Sequence, residues 1–215
     1  ELTGSLGLPV YCLPGNHDTA EQLKSGLAGP PFVHDLASRH DGWLIVMLDS
    51  TVAGFNHGHL DAALLGRLDE ALTRHADAHA IVCLHHQPVP HGSRWLDELM
   101  LDNAAELFDV LARHARVRGL LWGHTHQPFE GMHGHLRLMG TPSTCMQFTQ
   151  NSDEFAMDTR PPAYRWLELD PDGGLETGDD DPHGCGRDAL RLVPQRLGVD
   201  GHSSGPQRRD DAGGL

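Results

Sequence analysis

Residues 80–88 read Ala-Ile-Val-Cys-Leu-His-His-Gln-Pro. Five apolar residues, too few for a buried helix and rich in β-branching, predict a strand buried on both faces. A polar His85-His86 pair follows at once, and Pro88 stops the run. The same grammar recurs on both sides. Residues 117–122 (Val-Arg-Gly-Leu-Leu-Trp) form an apolar run closed by Gly123-His124-Thr125-His126. Residues 8–13 (Leu-Pro-Val-Tyr-Cys-Leu) end in Pro14-Gly15-Asn16-His17-Asp18, and residues 43–49 (Trp-Leu-Ile-Val-Met-Leu-Asp) form a further continuous run.

Between these runs the period changes to that of a helix. Leu60, Leu64, Leu65, Leu68, Ala71 and Leu72 predict an amphipathic helix over 60–75, and Leu107, Val110 and Leu111 predict another over 103–114. Residues 129–139 read as a hairpin turning at His133-Gly134, and Tyr164 to Leu169 as a last strand before the turn at 170–174. Strands alternating with helices predict an α/β fold around a largely buried sheet.

Residues 178–215 are rich in Gly and Asp and carry little periodicity. They read as a disordered tail, leaving 1–177 as the folded domain. The 215-residue chain carries 16 Lys+Arg against 30 Asp+Glu, a formal net charge of −14. That balance argues against a nucleic-acid binder, whose affinity rests on neutralising phosphates. No apolar run is long enough to span a bilayer, so no membrane partner is expected. The four cysteines form no CxxC pattern, and they fit free thiols in a reducing, cytoplasmic compartment.

Chemistry concentrates where strands end. In open α/β sheets ligands bind beyond the carboxyl ends of strands, so the three polar clusters can converge on one crevice. Amide oxygen and neutral imidazole suit borderline divalent metals. His124 and His126, two apart in an extended segment, point their rings the same way. His91, just past the His85-His86-Gln87-Pro88 loop, is a candidate for the substrate pocket, and Arg94 for a phosphate or base contact. His34, His40, His75, His79, His114, His133 and His135 read as solvated, and Met139 and Met146 as core.

The order Gly15-Asn16-His17-Asp18, His85-His86, Gly123-His124-Thr125-His126 resembles the signature of the calcineurin-like metallophosphoesterases. Leu48-Asp49-Ser50, His57-Gly58-His59-Leu60, Trp95-Leu96-Asp97 with Asn103, and Thr141 to Cys145 with Gln147-Phe148 resemble the bacterial branch acting on 3',5'-cyclic AMP. The likeness covers about residues 8–177. It implies a β-sandwich flanked by helices (αββα) and a two-metal site holding divalent or mixed-valence ions. Iron and manganese are foremost; zinc, cobalt and magnesium are the alternatives. Asn16, His85 and His124 would hold one metal, and His126 the second. His17 would touch the phosphate and protonate the leaving alkoxide, and Asp18 would orient the His17 ring. Asn16, His17, His126 and His91 would face a cyclic nucleotide, hydrolysed to a 5'-nucleotide; a homodimer is possible. The family also carries Asp-x-His and Gly-Asp-x-x-Asp motifs upstream of the Asn-His-Asp turn. This chain has neither there, so the first strands are expected to be missing through amino-terminal truncation. Gly178-Asp-Asp-Asp181 is discounted, because it follows no buried strand.

Overall fold

A computed structural model describes residues 7–180. In chain order the elements are β1 (Val10–Tyr11), α1 (Ala20–Gly26), β2 (Phe32–Val33), β3 (Ala37–His40), β4 (Trp43–Leu48) and α2 (Ala62–Arg74). Then come β5 (His79–Leu84), α3 (Arg94–Asp97), α4 (Ala104–Leu111), β6 (Val117–Trp122), β7 (Phe129–His133), β8 (Leu136–Gly140), β9 (Tyr164–Leu169) and β10 (Leu175–Asp180).

Six strands form the main sheet in the order β3-β4-β5-β6-β8-β7. β4, β5, β6 and β8 run parallel, with β3 and β7 antiparallel at the edges. The carboxyl ends of the four parallel strands therefore share one edge, and the loops leaving them carry the polar clusters. α2 and α4 cross over between parallel strands and cover one face. Strand alternation decides which residues meet them: Leu44, Val46 and Leu48 join Leu65, Leu68 and Leu72 of α2 and Leu107 and Leu111 of α4 in one core.

The opposite face carries Trp43, Ile81 and Met139, against which Leu167, Leu169 and Leu175 of the β9–β10 hairpin pack. Among the described residues this hairpin supplies the second sheet layer of the expected sandwich. Arg165 ties it down. Its guanidinium is almost fully buried and bonds Glu130 at 3.1 Å and Asp179 at 3.0 Å. It also donates to the carbonyls of Gly140 and Phe129.

β10 corrects the tail boundary. The strand runs to Asp180, past residue 177, because its backbone pairs with β9 along its whole length. Gly178 to Asp180 thus lie in a strand, although Tyr164 to Leu169 was expected to be the last. The remainder of the expected tail, 181–215, lies outside the described residues, as does Cys185.

Candidate metal centre

Asn16 sits in the turn after β1, His85 directly after β5, and His124 two residues after β6. Three atoms meet there. Asn16 Oδ1 lies 3.0 Å from His85 Nε2 and 3.3 Å from His124 Nδ1, and the two nitrogens are 3.2 Å apart. Each can offer a lone pair, and one proton cannot serve all three edges of the triangle. Adjacent ligands around one divalent ion, bonded at roughly 2.1 Å, stand about 3.0–3.4 Å apart, so this donor set fits a metal.

Burial prepares the nitrogens for that task. Desolvation, reinforced by the neighbouring imidazoles, pushes His85 down to about 3 and His124 to about 2. Both rings are therefore neutral at physiological pH, the form in which imidazole ligates. His86, fully buried beside them, is pushed down to about 4, chiefly by burial. Its Nδ1 bonds Ser50 Oγ at 2.8 Å, while its Nε2 and that of His124 are buried without a hydrogen-bond partner among the described residues. His85, His86 and His124 together form a cluster tight enough to hold an ion.

Glycines make room for these rings. A Cβ on Gly15 would stand 2.8 Å from His85 Cε1, and one on Gly58 would stand 2.6 Å from the His86 ring. The segment carrying Gly58 is clasped to the loop before α4: Asn103 Oδ1 accepts from Leu60 N–H, and Asp102 takes His59 Nδ1 at 2.7 Å.

The His124–His126 segment is not extended. Both residues are left-handed, with φ of 59° and 48°, a conformation that costs side-chain-bearing residues free energy and clusters at functional sites. Both rings still line one cavity of about 310 Å³, together with Asn16, His17, Asp18 and His85. The structure keeps His126 out of the triangle. Its Nδ1 is held by the Met146 carbonyl at 2.9 Å, its ring stacks on Phe148, and burial lowers its pKa.

His17 and Asp18 are exposed at the cavity mouth. Asp18 Oδ2 accepts from Gly15 N–H at 3.2 Å, so it fixes the turn that presents His17. Asn16 Nδ2 donates to Asn56 Oδ1 at 3.5 Å.

Several expectations are corrected. His91 does not line the cavity. Trp122 Nε1–H donates to its Nε2 at 3.1 Å, its Nδ1 faces Gln127 at 3.4 Å, and its ring stacks on Phe129. Arg94 lies on the surface 3.8 Å from Asp153. Met139 is core, but Met146 is exposed. His114 is not solvated: it is mostly buried and bonded to Asp69 at 2.7 Å. His79 is half-buried against Trp43. Phe155 and Asn56 carried no signal in the sequence that would have marked them for this site, and Ser50 and Trp95, though they lie in stretches resembling the cyclic AMP branch, were given no role there.

The sequence profile described as calcineurin-like phosphoesterase matches residues 1–128, more than half of the chain. The chain belongs to the calcineurin-like phosphoesterase family. This phosphoesterase is 40% identical over 177 residues to the 3',5'-cyclic adenosine monophosphate phosphodiesterase CpdA of Pseudomonas aeruginosa, covering 82% of this chain and 65% of the relative. It is also 40% identical over 176 residues to the enzyme of the same name from Escherichia coli (strain K12), covering 80% and 63%. With the 3',5'-cyclic-nucleotide phosphodiesterase alr5338 of Nostoc sp. it shares 35% identity over 173 residues, covering 80% and 65%. The chain thus spans slightly less than two thirds of the length of these relatives. The family's dependence on divalent metal ions agrees with the His cluster.

Proposed function

We propose that this phosphoesterase hydrolyses 3',5'-cyclic nucleotides, cyclic AMP foremost, to 5'-nucleotides. The observation that carries the reading is the Asn16–His85–His124 triangle, three donors from three strand ends facing one point. The names of the similar proteins supply the substrate. Two imidazoles and an amide oxygen suit iron or manganese, with zinc, cobalt and magnesium as alternatives. A second ion would draw on His126, whose Nε2 stays open because Met146 holds its Nδ1.

The bound metal supplies positive charge that offsets the phosphodiester and the charge developing on it. A protein of net charge −14 needs that local field to hold an anion. Water adds its oxygen to phosphorus and gives up one proton to solvent, the bond to the 3' oxygen breaks, and a protonated His17 at the cavity mouth gives that oxygen its proton. Asp18 keeps His17 at that mouth by closing the turn onto Gly15 N–H. Free Cys12, Cys83 and Cys145 fit a cytoplasmic setting.

The test supplies the chain with manganese or iron and measures products from cyclic AMP, a phosphomonoester and a linear diester. Release of 5'-AMP, lost in Asn16→Ala together with bound metal, is the expected result. Metal binding without turnover of any cyclic nucleotide overturns the reading. Preference for the monoester moves the activity to another branch of the family.

A further inference from the structure

The cavity beside the triangle has two unlike ends. One carries Asn16, His17, His85 and His124; the other is walled by Trp95, Phe148 and Phe155. The three aromatic rings contact one another edge to face, with centroids 5.1 Å apart for Trp95–Phe148, 5.3 Å for Trp95–Phe155 and 5.4 Å for Phe148–Phe155. His126 lies flat on Phe148, 4.4 Å between centroids with planes 3° apart, and joins the two ends.

Two features of the wall are unexplained by folding. Phe155 is 60% exposed, although it belongs to an aromatic cluster. Trp95 Nε1, a donor, is buried with no acceptor among the described residues. Helix α3, which bears Trp95, and the loop bearing Phe155 need no aromatic clamp, since Ser152 N–H already donates to Ser93 Oγ and Arg94 pairs with Asp153. An exposed aromatic face and an idle N–H, set beside an anion-binding end, match a ligand that is phosphate at one end and a flat nitrogen heterocycle at the other.

We infer that the Trp95–Phe148–Phe155 wall is the base subsite of this cavity, with Phe155 stacking on the nucleobase and Trp95 Nε1–H available to a ring nitrogen. The inference deepens the cyclic-nucleotide reading and rests on it for the ligand. Stacking a base on an aromatic side chain is worth roughly 5- to 150-fold in affinity.

The experiment measures binding of cyclic AMP and of inorganic phosphate by calorimetry to the metal-loaded full chain, its Phe155→Ala variant and its Phe155→Trp variant. Phe155 is exposed, so neither substitution threatens the core. The expected result is roughly 5- to 150-fold weaker cyclic AMP binding in Phe155→Ala, with phosphate binding far less affected and affinity regained in Phe155→Trp. A Trp95→Phe variant, which keeps the ring and removes the N–H, is expected to weaken cyclic AMP selectively as well. Unchanged cyclic AMP binding in Phe155→Ala overturns the inference, as does equal loss for both ligands or no binding of cyclic AMP by the unaltered chain. The hydrolytic reading fails separately: base-dependent binding without release of 5'-AMP leaves the subsite standing and removes the reaction.

Discussion

His86 is held from three sides: Ser50 bonds its Nδ1, the rings of His85 and His124 pack against it, and Gly58 leaves the space its ring fills. A methyl group on Gly58 would overlap a ring that cannot retreat into a packed core. Gly58→Ala is expected to cost about 1–3 kcal/mol in chemical denaturation and to lower metal affinity by displacing the rings. A variant of full stability and unaltered metal affinity would show that the ring can yield. His91 permits a prediction with a definite sign. Burial holds its pKa below the ordinary value of 6.5, and the Gln127 bond and the Asp97 charge only partly offset it. Above about 6.5 both folded and unfolded states carry a neutral ring. As pH falls below that value the unfolded chain takes up a proton that the folded ring refuses, so stability is lost toward acid. His91→Gln retains an acceptor for Trp122 Nε1–H and removes the titration. The slope of stability against pH between about 6.5 and 5 is expected to be shallower in the variant; an identical slope would refute the assignment.

At the scale of elements, the β9–β10 hairpin depends on Arg165. That guanidinium is buried while Glu130 and Asp179 stay partly exposed, so removing it strands little fully buried negative charge and takes a donor from the carbonyls of Gly140 and Phe129. Arg165→Ala is expected to cost about 3 kcal/mol, the low end for a broken buried pair, with loss of the hairpin's amide protection in hydrogen exchange. The pairing of this hairpin was illegible in the sequence. β10 reads Leu-Glu-Thr-Gly-Asp-Asp, and its acidic residues resemble tail until Arg165 is seen to receive Asp179. β4, β5 and β6 were legible because parallel strands buried on both faces become unbroken apolar runs, and α2 because Leu65, Leu68 and Leu72 repeat at helical spacing. Short, half-exposed elements such as α1, β2 and β3 bury too little to leave a period. The same division holds in the site. Asn16, His85 and His124 sit at strand ends, where position follows from topology. Trp95 in α3 and Phe155 in the loop between β8 and β9 are distant in sequence, and no spacing in the chain foretells their contact. His91 was misplaced because a histidine near a polar loop resembles a pocket residue until Trp122 and Gln127 are seen to occupy both of its nitrogens.

For the whole molecule, the centre and the fold are thermodynamically linked. The triangle draws Asn16 from the turn after β1, His85 from β5 and His124 from β6, residues up to 108 positions apart. An unfolded chain cannot hold these donors together, so an ion that binds them binds the folded state and stabilises it in proportion to the logarithm of its concentration. At 100 times the dissociation constant the gain is about 2.7 kcal/mol. For a domain of this size that corresponds to a rise of roughly 5–10 °C in melting temperature. Melting the chain in chelator and in excess manganese is therefore expected to give two separated transitions. Asn16→Ala should bring them together, because it removes one edge-sharing donor from an exposed turn and leaves the core intact. A manganese effect that persists undiminished in Asn16→Ala would place the ion elsewhere, on the excess of carboxylates that gives the chain its negative charge. Raising the salt concentration separates these cases, because ions loosely held by exposed carboxylates are screened within about 10 Å while a ligated ion is not.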